Sequence, residues 1–546
     1  MKPKLEVPWT ITDRLVAWWD PARGLQRLRD RTMMAVAGGF AGASTGRRGL
    51  SAWKTTRNSA DADLLPDLPV LMERSRDLER NNPIASGAIS STVTSVVGTG
   101  LTPRPQVDAD FLGMTVEEAA AWNKAATREF ALFADSEDCD ITRTQDFYQL
   151  QDLVLRSTLV SGDCFSILTF SGIPNSNRPY ELRIQVLEAD RVSNPGNKAD
   201  TQTMRGGVEV DQFGAPIRYH VTKTHPGEVG NRAKTEWTAI DAFGAKTGRR
   251  NVLHHFRRLR PGQNRGIPML APVIEKLKQL DRYTDAEIMA AVVSGMFTIF
   301  VHTEGEGLNF DGGMGYETGA GNGDSDVKLG YGAIVDLKPN EKITSANPGR
   351  PNANFDPFFL AIIRQIGIGL EIPYEILIKH FASSFSASRA AMVEAWKLYK
   401  GRREWLISSF CQPVYEAWLE EAVALGRIDA PGFFDDPMIR KAYCGVAWHG
   451  DAMPQINPLV EIQAAAERIQ AGLSTHARET AALTGADWSA EHEILALEIK
   501  ERQKKGTLVG LKPESFGDPS KTGGGAPAPA SDPTKKPAND DEEGGE

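Results

Sequence analysis

The segment IGLEIPYEILIKHFASSFSASRAAMVEAWK (Ile368 to Lys397) joins two helical patterns through a short, weakly charged loop. The loop, HFASSFSAS (His380 to Ser388), contains two phenylalanines and four serines and has no carboxylate. The hydrophobic spacing predicts one helix from about Phe355 to Lys379 and another from about Arg389 to Leu425, kinked at Pro413. A loop of this composition suits loose contact with a partner, and an ordinary helix connection is the alternative.

A longer helix is predicted upstream of this segment, from Ile267 to about Phe300. Its roughly 34 residues would span about 50 Å at 1.5 Å per residue. The first half is rich in charged residues, and the second half is almost entirely apolar. Residues 304–350, between the long helical patterns, are rich in glycine and contain a predicted strand pair near Val327 to Leu337.

The part of the chain before this helix mixes helical and strand patterns. Residues 61–97, 116–134 and 146–161 have helical periodicity. Strand patterns follow them, separated by turns such as Asn194-Pro195-Gly196. The predicted strands are Asp163 to Thr169, Glu181 to Ala189, Arg205 to Asp211, Pro216 to Lys223 and Val252 to Leu259. The predicted fold class is therefore α+β.

The two ends of the chain differ in composition from the rest. Residues 1–60 combine tryptophans with a small, Gly-rich stretch, which predicts an arm that needs a partner surface. Residues 457–505 are helical in pattern. Residues 512–546 are rich in Gly, Pro, Ala and acids, and they predict a disordered acidic tail.

The overall composition is that of a globular protein, with 41% hydrophobic and 24% charged residues. The 62 Lys and Arg residues against 71 Asp and Glu residues give a net charge of −9. Such a chain does not suit the coating of nucleic acid, although a protein that encloses a sliding nucleic acid fits it. The four cysteines are far apart, which argues against a zinc knuckle or a disulfide framework. No export signal or membrane segment is predicted.

The sequence contains no motif of a known catalytic site. It has no phosphate-binding GxxxxGK[ST], no HExxH and no GxSxG. The acidic loop DSEDCD (Asp135 to Asp140) lacks the glycine and glutamate of an EF-hand and is interpreted as a solvated loop. His254 and His255 are neighbours on a predicted strand, so we expect one to be packed and the other exposed. We predict no enzymatic activity, no catalytic residues, no metal and no cofactor.

The densest positive charge lies in residues 249–265. Two interpretations are open: a phosphate or subunit contact, or a charged face paired with the surplus of acids. The arginines concerned are Arg249, Arg250, Arg257, Arg258, Arg260 and Arg265.

Several motifs, in this order, resemble those of the lambda-type portal proteins of tailed bacteriophages. They are RSRDLERNNPIASGAI (Arg74 to Ile89), SGDCFSIL (Ser161 to Leu168), QVLEADRVSNP (Gln185 to Pro195), RLRPGQNRGIPMLAPVIEKLKQLDRYTDAEIMAA (Arg258 to Ala291) and the segment Ile368 to Lys397. Each motif alone is modest, but the ordered set is specific. The resemblance extends from about Trp53 to Lys505.

The resemblance implies a portal fold that assembles as a ring, usually of twelve subunits, with a wing, a stem, a clip and a crown. The implied parts are an N-terminal arm (1–60), the wing (61–266), a stem helix (267–303), the clip (304–350), a second stem helix (351–379), a tunnel loop (380–388), a kinked long helix returning to the wing (389–456), the helical crown (457–511) and the acidic tail (512–546).

The resemblance also implies three groups of site residues. The tunnel loop facing DNA would comprise His380, Phe381, Ser383, Ser384, Phe385, Ser386 and Ser388. Channel-lining candidates on the stem helices are Glu275, Lys276, Lys278, Arg282 and Lys379, with Asp281, Asp285 and Glu287 as further acidic candidates. Clip residues that would dock the terminase or the adaptor are Glu304, Glu306, Asp324 and Asp326.

A portal of this family is implied to be a passive channel at one capsid vertex, through which double-stranded DNA is packaged and ejected. The implied partners are further copies of the chain, DNA without sequence specificity, the large terminase, the head–tail adaptor, and the major capsid and scaffold proteins; no membrane is implied. The implied location is the virion, after assembly in the host cytoplasm, with the portal nucleating the procapsid. The alternatives are a nuclease or maturation protease, for which no site is found, a head–tail adaptor, and a monomeric binding module.

Overall fold

A computed structural model describes residues 9–36, 43, 49–50, 52–170, 178–228, 236–295, 299–303, 341–345, 355–381, 384–455 and 457–508. The chain divides into two compact units, Met1–Asp63 and Leu64–Glu546. The smaller unit contains a helical hairpin, and the larger unit combines helices with antiparallel sheets.

Helices make up most of the described chain, and none of them has both the length and the apolar character that crossing a membrane requires. In chain order they are α1 (Ile11–Trp19), α2 (Pro21–Val36), α3 (Ala60–Leu64), α4 (Leu68–Asn81), α5 (Pro83–Val96), α6 (Ala109–Leu112), α7 (Val116–Ala134), α8 (Phe147–Ser161), α9 (Ile274–Gly295), α10 (Phe355–Leu370), α11 (Tyr374–Leu377), α12 (Phe385–Leu406), α13 (Gln412–Ala424), α14 (Pro437–Tyr443), α15 (Pro458–Gln470), α16 (His476–Thr484) and α17 (Trp488–Leu508).

The described strands pair only with antiparallel neighbours. They are β1 (Thr102–Pro105), β2 (Asp163–Phe170), β3 (Leu182–Glu188), β4 (Met204–Arg205), β5 (Val208–Val210), β6 (Pro216–Thr222), β7 (Trp237–Asp241), β8 (Val252–Phe256), β9 (Ile299–Thr303), β10 (Glu341–Ser345) and β11 (Val446–His449). One sheet has the order β3-β2-β8 and another β4-β5-β6-β7, while β1 pairs with β11 and β9 with β10.

In the smaller unit, α1 and α2 form a tight hairpin. The Thr10 hydroxyl accepts from the Asp13 backbone N–H, and the Asp13 carboxylate accepts from the Thr10 N–H, which together cap α1. The Asp13 side chain is buried, and Arg27 of α2 lies 3.7 Å from it. Gly24 permits the close approach, because a Cβ there would lie 2.4 Å from the Cβ of Ala17.

The main core of the larger unit is built on aromatic side chains of α7, α8 and α13. Phe130, Phe147 and Trp418 are buried. The Phe130 ring meets Phe147 edge-on at 5.5 Å and Trp418 edge-on at 4.9 Å between ring centres. Edge-to-face pairs of this kind add to the stabilisation that burial provides. The core therefore joins helices from distant parts of the sequence.

Strand β2 lies between two cores. Cys164 and Leu168 belong to the main core, whereas Phe165 and Ile167 pack in a second core with residues of the four-stranded sheet such as Tyr219. Side chains alternate between the two faces of a strand, so both faces of β2 are buried. This burial agrees with a strand in which five of the eight residues are apolar.

The predicted mixture of helices and strands is confirmed, and α7 has the predicted bounds. The first long helix is shorter than predicted: α9 spans Ile274–Gly295 rather than Ile267 to Phe300. Pro268 and Pro272 delay its start, because proline removes a backbone donor. At the other end, the β-branched and aromatic residues of Ile299–Thr303 pair as β9 with β10.

The other two long helices are interrupted. The helix that begins at Phe355 ends at Leu370, and Pro373 precedes the separate helix α11. The kink expected at Pro413 is present as a π-helical turn, Ile407–Cys411, between α12 and α13. A proline cannot donate to the carbonyl four residues earlier, and a π turn accommodates the resulting mismatch.

Two local predictions are wrong because residues distant in the sequence cover the groups concerned. His254 and His255 point to opposite faces of β8, but neither is exposed: His254 stacks on Phe165 at 4.2 Å, and His255 is fully buried. The acidic loop is not fully solvated, since Asp140 is buried and accepts hydrogen bonds from Thr144.

Candidate functional site

Helices α9 and α10 pack against each other in antiparallel directions. At one end, a Cβ added to Gly369 of α10 would lie 2.6 Å from Cγ1 of Val273, the residue just before α9. Further along, Tyr283 stacks on Phe355 with ring centres 5.7 Å apart and meets Phe358 edge-on at 4.9 Å. These contacts hold the two helices side by side.

One stripe of α9 faces the main core. Leu277 and Leu280 are buried on this stripe, in line with Val273 just before the helix begins. Asn82 donates from Nδ2 to Oδ1 of Asp281 at 2.6 Å. Asp281, an acidic channel candidate by sequence, therefore faces the body of its own subunit.

The channel-lining candidates do not all share one face. Glu275, Lys278 and Arg282 are exposed and lie three and four residues apart, so they form one stripe opposite the buried one. Lys276 is exposed but is turned from Glu275 by about 100° around the helix axis. Lys379 is exposed and lies outside α9, in the segment that follows α11.

The second half of α9 and its neighbour α10 expose large apolar side chains. Ile288, Met289 and Val292 on α9 are between 49% and 62% exposed, and Ile368 on α10 is 80% exposed. Phe358 is half exposed although it contacts Tyr283. Apolar side chains exposed together mark an interaction surface.

A segment with unusual backbone angles follows α10. Glu371 has a φ of 61° and Lys379 a φ of 54°, in the left-handed region that non-glycine residues rarely adopt. The N–H of His380 donates to the carbonyl of Glu375 at 3.0 Å, and that of Leu377 to the carbonyl of Pro373 at 3.1 Å. Backbone hydrogen bonds therefore fix the turn of the chain before the loop.

The loop that follows is shorter than predicted. The Ser384 hydroxyl accepts from the backbone N–H of Ala387 at 3.4 Å and caps α12, which begins at Phe385 rather than Arg389. Serine is a preferred residue at this position, so the sequence contained the signal for the earlier start. Of the predicted loop residues, Phe385, Ser386 and Ser388 lie in the first turn of α12.

The loop and its margins are open to solvent where the structure describes them. His380, Phe381, Ser384 and Ser386 are exposed, and Ser388 is half-buried. Ser383 and the side chain of Phe385 lie outside the described residues. In the sequence, Lys379 is the one Lys or Arg between Arg364 and Arg389, so the segment carries little positive charge.

Ion pairs connect the start of α12 to the C-terminal helices. The Arg389 guanidinium binds the Glu461 carboxylate of α15. Arg468 at the other end of α15 binds Glu479 of α16 at 2.6 Å. The helix that carries the loop is thus held by side chains of the C-terminal helices.

Asp163 of β2 forms a buried ion pair with Arg265, which lies shortly before α9 in the sequence. The Arg265 Nε lies 2.5 Å from one carboxylate oxygen of Asp163, and Nη2 lies 3.1 Å from the other. The same guanidinium donates to the carbonyls of Ala189, Val192 and Gly206. Sequence reasoning missed this pair because its members are 102 positions apart; the motifs SGD and NRG that contain them were the available signal.

The environment of Asp163 holds it in the charged form. Burial alone would raise its pKa, but Arg265 and a hydrogen bond with His254 hold the pKa of Asp163 well below its ordinary range. Burial lowers the pKa of His254. The pair is therefore a structural link between β2 and the segment that leads into α9.

The arginines of residues 249–265 are dispersed rather than gathered into one patch. Arg249 pairs with Glu420 at 2.8 Å and lies over the Phe170 ring. Arg250 lies over Phe243. For Arg249 and Arg265, the structure supports the interpretation of arginines paired with the chain's own acids.

Glu188, Asp190 and His225 bring three potential metal-ligand atoms within 4.8 Å of one another. The backbone N–H of Gly227 donates to Nδ1 of His225, which places the neutral imidazole proton on Nε2. The Nε2 atom lies 3.0 Å from a carboxylate oxygen of Glu188, and the guanidinium of Arg76 already binds Asp190. The group is therefore best described as an ion-pair cluster.

The predicted clip residues lie outside the described part of the chain. They are Glu304, Glu306, Asp324 and Asp326. The strand pair β9–β10, which brackets them, aligns Thr303 with Glu341.

Comparison with known proteins gives consistent results. A family described as phage portal protein, lambda family, matches residues 46–403. Portal protein B of Escherichia phage lambda is 27% identical over 510 residues, covering 89% of this chain and 93% of that protein. The portal protein of Escherichia phage N15 is 26% identical over 511 residues, covering 89% of this chain and 94% of its own. A solved chain from the neck of an empty GTA particle covers 81% of this chain and 99% of its own length, with 13% identity and a TM-score of 0.42.

Proposed function

Because the chain belongs to the lambda family of phage portal proteins, we propose that its subunits assemble into a ring of about twelve around a channel for double-stranded DNA. The resemblance found in the sequence is thereby confirmed, and so is the prediction that the protein is structural rather than an enzyme. The match to residues 46–403 is the observation that carries the proposal.

We assign the parts of the ring by the elements described above. Helices α9 and α10 are the proposed stem, residues 304–350 the clip and residues 61–266 the wing. Helices α15 to α17 are the proposed crown, residues 1–60 an arm and residues 512–546 a tail. The antiparallel contact between α9 and α10 supports the stem assignment, since two helices joined through a clip must run in opposite directions.

The exposed apolar side chains of the stem support assembly of several subunits. Ile288, Met289, Val292 and Ile368 are exposed in the single chain. In a ring, each subunit covers such surfaces on its neighbour, because ring contacts join two different patches of the same chain. Burial of these side chains would contribute to the free energy of assembly.

The loop between α11 and α12 is the proposed tunnel loop. It carries serine hydroxyls and Lys379, but no cluster of arginines. Hydroxyl groups and a few cations contact phosphates weakly and without reading the sequence. We therefore propose that the loop guides DNA and restrains its return, while the energy for packaging comes from the separate terminase.

The remaining partners follow from the portal role. The clip would dock the large terminase during packaging and the head–tail adaptor afterwards, with Glu304, Glu306, Asp324 and Asp326 as candidate contacts. The outer parts of the ring would contact major capsid and scaffold proteins at a unique vertex and nucleate the procapsid in the host cytoplasm. The finished ring would remain in the virion.

The test replaces His380 to Ser383 with glycine and serine, which preserves the Ser384 cap of α12. For both the wild type and this loop variant, we expect native mass spectrometry and negative-stain imaging to give rings of about twelve subunits with a central hole. In phage that carry the variant, we expect less packaged DNA per particle, because the loop no longer contacts the duplex. A matched control replaces residues 211–214, an exposed turn between β5 and β6, in the same way.

Each part of the proposal has its own contrary result. Normal packaging by the loop variant would remove the role of the loop. A stable dimer or trimer without a hole, from wild-type protein purified alone or with scaffold, would contradict the ring.

A further inference from the structure

A cavity of about 430 Å³ lies where α8, the segment after β8, α10, α12 and the approach to α9 meet. Most of its wall is apolar, with the side chains of Leu155, Ile267, Met269, Leu370, Leu398 and Trp405. Its charged residues are Arg257, Lys397 and Arg402 against Glu371 alone, so the cavity has an excess of positive charge.

Arg402 is the least exposed cation of the cavity: Arg257 and Lys397 are exposed, whereas Arg402 is half-buried. Its Nε is buried and has no hydrogen-bond partner in the described structure. Burial and the neighbouring Arg257 lower the pKa of Arg402 to about 10. The acid of the cavity, Glu371, lies 3.9 Å from Arg257, and both side chains are more than half exposed, so their pairing is weak.

A buried N–H without an acceptor lowers the stability of the folded chain, and an anion that reaches the Nε of Arg402 supplies that acceptor. Lys397 cannot balance the positive charge of Arg402, because it is itself a cation. Its ammonium binds Glu394 on the outer face of α12. The cavity therefore favours a ligand that brings one negative charge and an apolar portion to fill the remaining volume.

The mouth of the cavity favours a protein as the source of that charge. Leu259 lines the cavity and is 58% exposed. Ile368, 80% exposed, lies beside the lining residues Gly369 to Glu371. Exposed apolar side chains around a pocket suit a complementary protein surface better than a small hydrated ion.

The chain itself carries surfaces of the required kind. Asp285 is exposed on α9 near Ile288 and Met289, and Asp356 is exposed on α10 near Phe358. The net charge of −9 provides a surplus of such carboxylates. In a ring, one patch of each subunit meets a different patch of the next, so both complementary surfaces must occur on the same chain.

We propose that this cavity is a socket that receives a carboxylate side chain, with an adjoining apolar side chain, from a second copy of the chain. Arg402 provides the charge that the incoming carboxylate pairs with, and the apolar wall receives its neighbour. The inference rests on the proposed ring and deepens it by naming a contact between subunits.

The test compares Arg402→Gln with Lys400→Gln, which removes the same charge from the exposed face of the same helix. Native mass spectrometry and sedimentation follow ring assembly over a range of protein concentrations. We expect Arg402→Gln to raise the concentration at half assembly at least about tenfold over Lys400→Gln, because each subunit contact loses its anchoring cation. The melting temperature of unassembled Arg402→Gln should equal or exceed that of the wild type.

A second measurement uses wild-type rings and does not depend on the folding of a variant. Rings are assembled from mixed labelled and unlabelled subunits, and a carbodiimide couples amines to nearby carboxylates. We expect mass spectrometry to find Lys397 joined to a carboxylate of a neighbouring subunit, in addition to Glu394 of its own chain.

Two results would overturn the socket but not the ring. The first is equal assembly of Arg402→Gln and Lys400→Gln, together with the absence of an intersubunit cross-link at Lys397. The second is that inorganic phosphate stabilises the unassembled wild type but does not stabilise Arg402→Gln. The second result would identify a site for a small anion. Failure of the wild type to form rings would overturn the proposed function, and this inference with it.

Discussion

At the scale of single residues, the buried pair of Asp163 and Arg265 shows how the fold uses charge. An arginine has five N–H groups, and all five of Arg265 have acceptors: two bonds reach Asp163 and three reach backbone carbonyls. Substituting one member of such a buried ion pair is costly, because the charge of the other member stays buried without its partner. Arg402, with its unpartnered Nε, is in the opposite situation in the single chain.

Asp163→Asn is therefore expected to lower the free energy of unfolding by about 3–5 kcal/mol at pH 7. The folded-state pKa of Asp163 lies below its unfolded value. Its contribution is thus complete above the ordinary pKa of about 4 and is lost as the pH falls toward the lower folded value. Thermal unfolding of wild type and variant should consequently converge below pH 4.

The control for this prediction is Asp110→Asn, at an exposed position of α6. We expect its melting temperature to match that of the wild type at every pH. Equal effects of the two substitutions would show that the Asp163 carboxylate is not an anchoring charge.

At the scale of elements, the sequence predicted those segments whose signals are local. Helix α7 has a capping box and strong periodicity, and its bounds agree with the prediction. The ends of the long helices were predicted poorly, because Pro268, Pro272 and Pro373 were given too little weight against the hydrophobic pattern. The start of α12 was missed at a serine cap.

Some features of the candidate site could likewise be predicted from the sequence, and others could not. The composition of the proposed tunnel loop is visible in the sequence, and so is the apolar half of α9. The Arg402 cavity is not, because it forms from segments between Leu155 and Trp405 that meet only in the folded chain. The helical period alone places Lys276 and Lys278 on different faces of α9, but it does not tell which face is buried against the core.

Gly369 tests how closely α10 must approach the segment that enters α9, the other helix of the proposed stem. Its substitution by alanine would place a Cβ 2.6 Å from Cγ1 of the buried Val273. We expect Gly369→Ala to destabilise the chain by about 1–3 kcal/mol, as overpacking of a core does. Thermal unfolding measures the effect.

Gly87→Ala in α5 is the matched control, because a Cβ there meets no atom within 4 Å. Alanine has the higher helix propensity, so this variant should gain up to about 1 kcal/mol. A gain at both positions would mean that α9 and α10 are not in close contact at Gly369.

At the scale of the whole molecule, the single chain leaves two kinds of surface without a partner in the described structure. One is the exposed apolar end of the proposed stem, including Ile288 and Met289, and the other is the cation-lined cavity at Arg402. Both are unfavourable in an isolated subunit, and contact with another copy would cover both. The proposed ring therefore accounts for features that the fold of one chain does not require.

Ile288→Asp separates assembly from folding. Ile288 is 56% exposed in the single chain, so a carboxylate there should leave the melting temperature of the unassembled subunit unchanged. In a ring, the same carboxylate would be buried in an apolar contact without a partner, and its desolvation would oppose association. We expect native mass spectrometry to show subunits without rings.

Phe213→Asp, the same kind of change in an exposed turn between β5 and β6, should assemble normally. Rings formed equally by both variants would move the subunit contact away from the apolar half of α9.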